Sequence, residues 1–375
     1  MKNFLYLLAF CLLFSCSGQK TADNAEGEAV AEAVADEPQQ WITIGSQNDD
    51  AKHIVLISGD EEYRSEETMP QLAKILSTRH GFKCTVLFAQ DPAKPGIINP
   101  NYLQHIPGLD ALTSADLMII FTRFRALPDD QMQHIDDYLK TGKPVIGFRT
   151  ATHAFNFDAE STSSFKHYSN NYDGEKTEWK DGFGRLILGE KWISHHGHHK
   201  HQSTRGIVAE DAKSHPIAQG IADGDVWAST DVYGVRLPLP GDSKPIILGQ
   251  VMNRKGEFNE NDIFYGMKST DDEVAAANNK GIDPNNPMMP VAWTKSYQVP
   301  GGNKGKVFAA TLGSSNDILI EGTRRLLVNG VFWALDMPVP EKADVTLVGE
   351  YNPTKYEFRK MEYWDQQQLK VEDSE

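Results

Sequence analysis

The chain has 375 residues, 40% of them hydrophobic, and a formal net charge of −15. That acidity argues against nucleic acid and anionic lipid surfaces as partners, because both are polyanions. Three cysteines, Cys11, Cys16 and Cys84, are too few for a disulfide framework, so stability must come from a packed core.

At the N-terminus, Lys2 precedes the apolar run FLYLLAFCLLF and then Ser15 and Cys16. The run is too short to span a bilayer and has the size of a secretory signal, so residues 1–15 read as a signal peptide. LFSC resembles a bacterial lipobox, with Leu13 three positions before Cys16 and the small Ser15 next to it. The resemblance implies cleavage before Cys16, lipid on its thiol, and an exported protein anchored to a bacterial membrane, in the periplasm or at the outer membrane. Residues 17–40 hold six acids against one lysine and no aromatic residue, so residues 16–40 read as a flexible acidic tether. Cys11 would leave with the signal, and Cys84 would be the one cysteine of the folded body.

The body opens with alternating strand and helix signals. HIVLIS (53–58), CTVLFA (84–89), LMIIFT (117–122) and PVIGFR (144–149) are short apolar runs. Between them lie the amphipathic MPQLAKILSTRHG, ended by Gly81, and LPDDQMQHIDDYLKTG, ended by Gly142. Continuous apolar strands separated by helices predict an α/β fold, a parallel sheet with helices on both faces. The second half is less regular: STRGIVAE, PIILGQV and PVAWTKSY read as strands of a β-rich insertion, with a polar stretch over about 252–286. GKVFAATLG (305–313) and the helical NDILIEGTRRLLVNGVFWALDM then restore the pattern, and residues 338–375 read as a polar C-terminal extension.

In parallel sheets ligands sit beyond the carboxyl ends of the strands. The loops there supply Asp60, Glu61, Glu62, Tyr63 and Arg64 after the first strand, and Arg123 and Arg125 after the third. Arg149, Thr150, Thr152 and His153 follow the fourth. Opposite charges at one edge point to a polar pocket, although acids at helix starts are also common for structural reasons. A second concentration is WISHHGHHKHQSTR (192–205), with five of the twelve histidines in seven positions. Gly197 breaks any continuous helix; if the run is extended, His195, His199 and His201 share one side and His196 and His198 the other. His196, His198 and His199 are candidate ligands for a divalent metal, zinc or similar. A catalytic base with neighbours and a solvated loop fit the spacing equally.

KPVIGFRTATHAF stands where class I glutamine amidotransferases carry a strand, a tight turn and a nucleophilic cysteine, and here Arg149 takes the cysteine's place. Cys84 begins a different strand, so covalent glutaminyl chemistry is excluded. The chain more closely resembles the ThuA-like trehalose-utilisation family over residues 52–337, through HIVLISGDEEY, LMIIFTRFRALPDDQ, PVIGFRTATHAF, HPIAQGI, STDVYGV and GKVFAATLG followed by LLVNGVFWAL. Ser314 and Arg149 stand where many members have histidine. The resemblance implies a flavodoxin-like, amidotransferase-like fold and a role in carbohydrate catabolism, with oxidised (3-keto) glycosides as substrates. On that reading His195 or His196 is the base, Arg149 or a metal meets the oxyanion, and Glu61 or Glu62 is the acid. Asp60, Tyr63, Arg123, Arg125, His153, His215, Asp231 and Tyr233 would contact the sugar. The alternative is a non-catalytic carbohydrate-binding or scaffold lipoprotein that stacks sugars on Trp192, Trp227, Tyr233 or Trp293.

Overall fold

The computed structural model describes Met1, residues 37–48 and residues 50–375; the signal segment, Cys16 and the tether through residue 36 lie outside the described residues. Among the described residues no helix is long and apolar enough to cross a membrane.

Four apolar runs become the strands β2 (His53–Gly59), β3 (Lys83–Phe88), β4 (Leu117–Thr122) and β5 (Val145–Phe148), and β1 (Trp41–Gly45) precedes them. Alternate residues feed opposite faces. Ile54 and Leu56 join one core with Met69, Leu72 and Leu76, whereas Val55 and Ile57 join a second with Met132, Ile135 and Leu139. The first set of partners lies on α1 (Ser65–His80) and the second on α2 (Asp129–Thr141), so both faces are covered and neither side of the strand can be polar. α1 starts four residues before its apolar stripe. Ser65 binds the Asp60 amide at 2.9 Å, and Glu66 and Glu67 occupy the first turn, where the helix dipole favours acids.

The insertion does not form a separate layer. β6 (Gln202–Val208), β7 (Trp227–Ala228), β8 (Lys244–Asn253) and β9 (Met289–Tyr297) extend the same sheet, and β10 (Gly305–Ala310) joins them to β5. The order across ten strands is β1-β3-β2-β4-β5-β10-β9-β8-β6-β7. β3, β2, β4, β5 and β10 are parallel, with the strand order of a flavodoxin-like core. β1 and the four inserted strands pair antiparallel, so the sheet is mixed rather than wholly parallel. α3 (Glu321–Ala334) packs beside α1.

The segment after Pro338 is packed against the body. Tyr356 and Val371 are fully buried, Lys370 bridges Ile97, and Trp364, on α4 (Met361–Gln367), receives the Arg64 guanidinium on its ring. The polarity of its sequence hid these single anchors. Chain order reverses between β3 and β4, on either side of β2, and the crevice beyond those carboxyl ends is where the polar loops meet.

Candidate active site

The turn after β2 is built around Asp60. Its buried carboxylate accepts the amides of Glu62 and Tyr63 and the Thr150 hydroxyl (2.5 Å), which fixes the loop and links it to the end of β5. Burial, with Glu61 beside it, pushes the Asp60 carboxyl up to about 6. Asp60 is thus a loop fastener without access to solvent, not a sugar contact. Glu61 is clamped between Arg123 and Arg125, and Arg125 is itself wholly buried and tied to the carbonyls of Pro100 and Tyr102. Each Glu61 oxygen is engaged by a guanidinium, so neither faces a substrate, which removes Glu61 from the acid role. Glu62 and Arg123 instead reach the crevice.

Arg149 has φ +39°, in the left-handed region that non-glycine residues avoid, at the sharp strand-to-helix turn where amidotransferases place their nucleophile. Its side chain turns inward and is 0% exposed. The guanidinium lies 3.7 Å from the Tyr233 ring centroid and 4.6 Å from that of Tyr63. It donates to the Asp231 carbonyl (2.7 Å), the Thr311 carbonyl (2.9 Å), Asp231 Oδ1 (3.1 Å) and the Tyr63 hydroxyl (3.2 Å). It cannot meet a substrate oxyanion; its charge is committed to Asp231. Tyr63 is buried with it, stacked on Tyr356.

Asp231 is the hinge between this buried layer and the pocket. Its Oδ2 accepts from His195 Nδ1 at 2.8 Å and its Oδ1 from His199 Nδ1 at 2.9 Å. Burial alone would raise its pKa, but hydrogen bonds from both imidazoles and the Arg149 charge hold the carboxyl well below the usual carboxylate range. His199 Nε2 lies 3.3 Å from Glu62 Oε1, and the two ring centroids of His195 and His199 are 4.7 Å apart. Burial would lower the His199 pKa, yet Asp231 and Glu62 outweigh it and raise the value.

Glu62, His195 and His199 line a pocket of about 310 Å³ with Arg123, His153, Trp192, Lys200, Tyr233 and Phe358, near the lower end of the range for small-ligand sites, about 300–1,000 Å³. His153 sits among Phe124, Trp192 and Tyr233; burial and the charges of Arg123 and Arg149 keep its pKa well below the ordinary histidine value, so it is neutral at pH 7.

The histidine run therefore divides. His195 and His199 face Asp231, as the extended reading places them, but His201 does not follow: it stacks on His198 at 4.3 Å and on Phe258. His196 Nε2 bonds the Pro284 carbonyl at 2.8 Å. His196, His198 and His199 consequently do not converge as a ligand set, because the backbone turns at Gly197 send them in three directions. His215 caps the short helical turn at 216–218 and packs on Trp333, away from the pocket. Of the four aromatic residues considered for stacking, Trp192 and Tyr233 reach the pocket, while Trp227 and Trp293 are core. Lys200 and Phe358 were missed, the latter because it stands alone among polar residues in the tail.

The sequence profile of the family described as "ThuA: Trehalose utilisation" matches residues 53–334. No curated protein matches the chain. Among solved structures, a ThuA-like protein from Parabacteroides merdae is similar at 12% identity and a TM-score of 0.43, over 83% of this chain and 98% of that one. An exo-β-1,4-mannosidase from an Opitutaceae bacterium, strain TAV5, is similar at 10% identity and a TM-score of 0.28, over 76% of this chain and 36% of that one.

Proposed function

The chain belongs to the ThuA (trehalose utilisation) family and so has a carbohydrate-related role; from that premise we propose that it cleaves or converts oxidised (3-keto) glycosides by proton transfer, without a covalent nucleophile. A ketone at C3 acidifies the C2 hydrogen. A base removes that proton, the electron pair passes into the enolate, and the enolate then expels the aglycone from C1, leaving an unsaturated ketone and a protonated alcohol. The site must supply a proton acceptor, positive charge for the enolate oxygen and a proton for the leaving group.

The observation that carries this reading is the pair of imidazoles pinned by one buried carboxylate, Asp231, with Glu62 beside them at an aromatic-walled pocket. An Asp that accepts from Nδ1 leaves His195 Nε2 free to work on a ligand, while His199 Nε2 faces Glu62. His195 and Glu62 remain in the reacting centre, His199 joins them, and Arg123 replaces Arg149 as the cation that a substrate can touch. Trp192, Tyr233 and Phe358 offer ring faces for the apolar side of a pyranose.

The test is aglycone release from purified 3-keto glycosides and from the parent glycosides, with His195→Ala and Glu62→Gln alongside. Turnover confined to the keto forms and lost in both variants is the expected result. Tight sugar binding with no turnover of any glycoside would favour the carbohydrate-binding reading.

A further inference from the structure

We propose that the sugar this pocket takes carries a carboxylate, as a uronic acid residue does, and that Lys200 is the side chain that selects it. The proposal rests on the reading of this pocket as a glycoside site and names the class of glycoside.

Charge in the pocket departs from charge in the chain. The chain as a whole carries −15, yet among the residues that line the pocket Arg123 and Lys200 are cations at neutral pH and Glu62 is the one acid. Glu62 is already engaged: a proton on His199 accounts for its 3.3 Å contact with that ring, and Arg123 Nε stands 3.9 Å from its other oxygen. Asp60, Glu61 and Asp231, the other carboxylates of these loops, are turned away from the cavity. Asp60 takes the Thr150 hydroxyl, Glu61 takes Arg123 and Arg125, and Asp231 takes Arg149 and both imidazoles. One cation is left without an acid to answer it, and that cation is Lys200.

The backbone holds Lys200 at the pocket wall. Its φ is +64°, in the left-handed region that residues other than glycine avoid, and the amides of His201 and Gln202 both bond the His198 carbonyl, at 2.9 and 2.8 Å, which closes a turn around it. The ammonium lies 5.1 Å from the Tyr265 ring centroid and forms no ion pair among the described residues. Lys355 reaches the same ring at 5.6 Å but is paired with Glu357, so a lysine against this ring takes a carboxylate where one is in reach. Arg123, held between the rings of Phe124 and Phe358 at 4.7 and 4.9 Å, already has the enolate oxygen to meet, whereas proton transfer gives Lys200 no task. A carboxylate suits it better than a phosphate ester. Its single charge matches one unanswered ammonium, while a phosphate ester, at about −1.5 to −2, would bring surplus negative charge beside Glu62. In a uronic acid the carboxylate replaces the hydroxymethyl group on C5, which leaves C1, C2 and C3 free for the elimination.

The test is isothermal titration of the protein with methyl glucuronide and methyl glucoside, each anomer in turn, at low ionic strength. The glucuronide should bind about tenfold more tightly, the scale of one hydrogen bond to a charged group, and its lead should shrink as salt is added. Lys200→Gln should bring the two affinities together, and Lys200→Arg should keep the preference. Lys355→Gln, which removes the other lysine on the Tyr265 ring, should keep it as well. The ratio is taken within each protein, so a loss of folded fraction does not move it. Equal affinities in the wild type, no binding of either sugar, a preference that survives Lys200→Gln or vanishes in Lys355→Gln, or tighter binding of a methyl glucoside phosphorylated at its primary hydroxyl would each overturn the proposal. Neither sugar is a ketone, so a glucuronide preference with no turnover of keto glycosides would keep this inference and sink the chemistry. Turnover of neutral keto glycosides without any preference for acidic ones would do the reverse.

Discussion

At Arg149 a position that serves covalent chemistry in a related fold has become an internal counter-charge. Replacing it with methionine removes the buried guanidinium from Asp231, and breaking a buried pair this way costs about 3–5 kcal/mol. Arg149→Met should therefore unfold at markedly lower urea, and Arg149→Lys, which keeps the charge but loses the planar fork, should fall between it and the wild type. Melting like the wild type combined with lost turnover would instead mean that the guanidinium reaches substrate. A second buried group makes a pH prediction. His167 packs on Trp179 and Tyr168 and takes a hydrogen bond from Lys176 at 3.1 Å; burial, then the Lys176 charge, lower its pKa to about 4. The unfolded chain, with an ordinary histidine near 6.5, binds more protons than the folded one between those values. Stability from this group is present above pH 6.5 and is lost as pH falls toward 4. Melting temperature followed over that window should drop less steeply in His167→Asn than in the wild type.

The elements differ in how openly the sequence announces them. β2, β3, β4 and β5 are uninterrupted apolar runs because both faces are covered, and such runs are legible without knowing their partners. β1 is half exposed at the sheet edge, with Trp41 and Thr43 outward, and so lacks that signal. The C-terminal segment carries its anchors singly, Tyr356, Trp364 and Val371, spaced too far apart to register as a period. For the site, the strand-end rule drew attention to the correct edge, but which acid faces the pocket depends on a turn: Asp60 and Glu61 are consumed by Thr150, Arg123 and Arg125, leaving Glu62. That Asp231 joins two histidines more than thirty positions upstream is a tertiary fact with no local trace. The tail's share of the pocket is testable through Phe358, which is 56% exposed and lies beneath Arg123. Phe358→Ala should leave the melting temperature within a degree or two, as for most exposed positions, while raising KM for a sugar substrate several-fold. A large loss of stability would assign it to the fold instead.

For the whole molecule, the acidic segment from residue 16 to residue 40 bears on where the pocket works. If Cys16 carries lipid, Cys16→Ala should shift the protein from the membrane fraction to the soluble one with no change in the melting of the body, and unchanged fractionation would rule the anchor out. The body itself is closed by β10. That strand pairs parallel with β5 on one side and antiparallel with β9 on the other, after the chain has travelled through residues 149–304. Glu62 and Arg123 lie in the loops after β2 and β4, before that excursion, and His195, His199 and Asp231 in the excursion itself. Such long sequence separations raise contact order, and ordering so large a loop must be offset by contacts that arrive only at its end. Refolding is accordingly expected to be slow, and the pocket cannot precede the closing of the sheet: a substitution that loosens β10, such as Val307→Ala, delays the return of ligand binding as much as the return of native structure, although Val307 does not line the pocket.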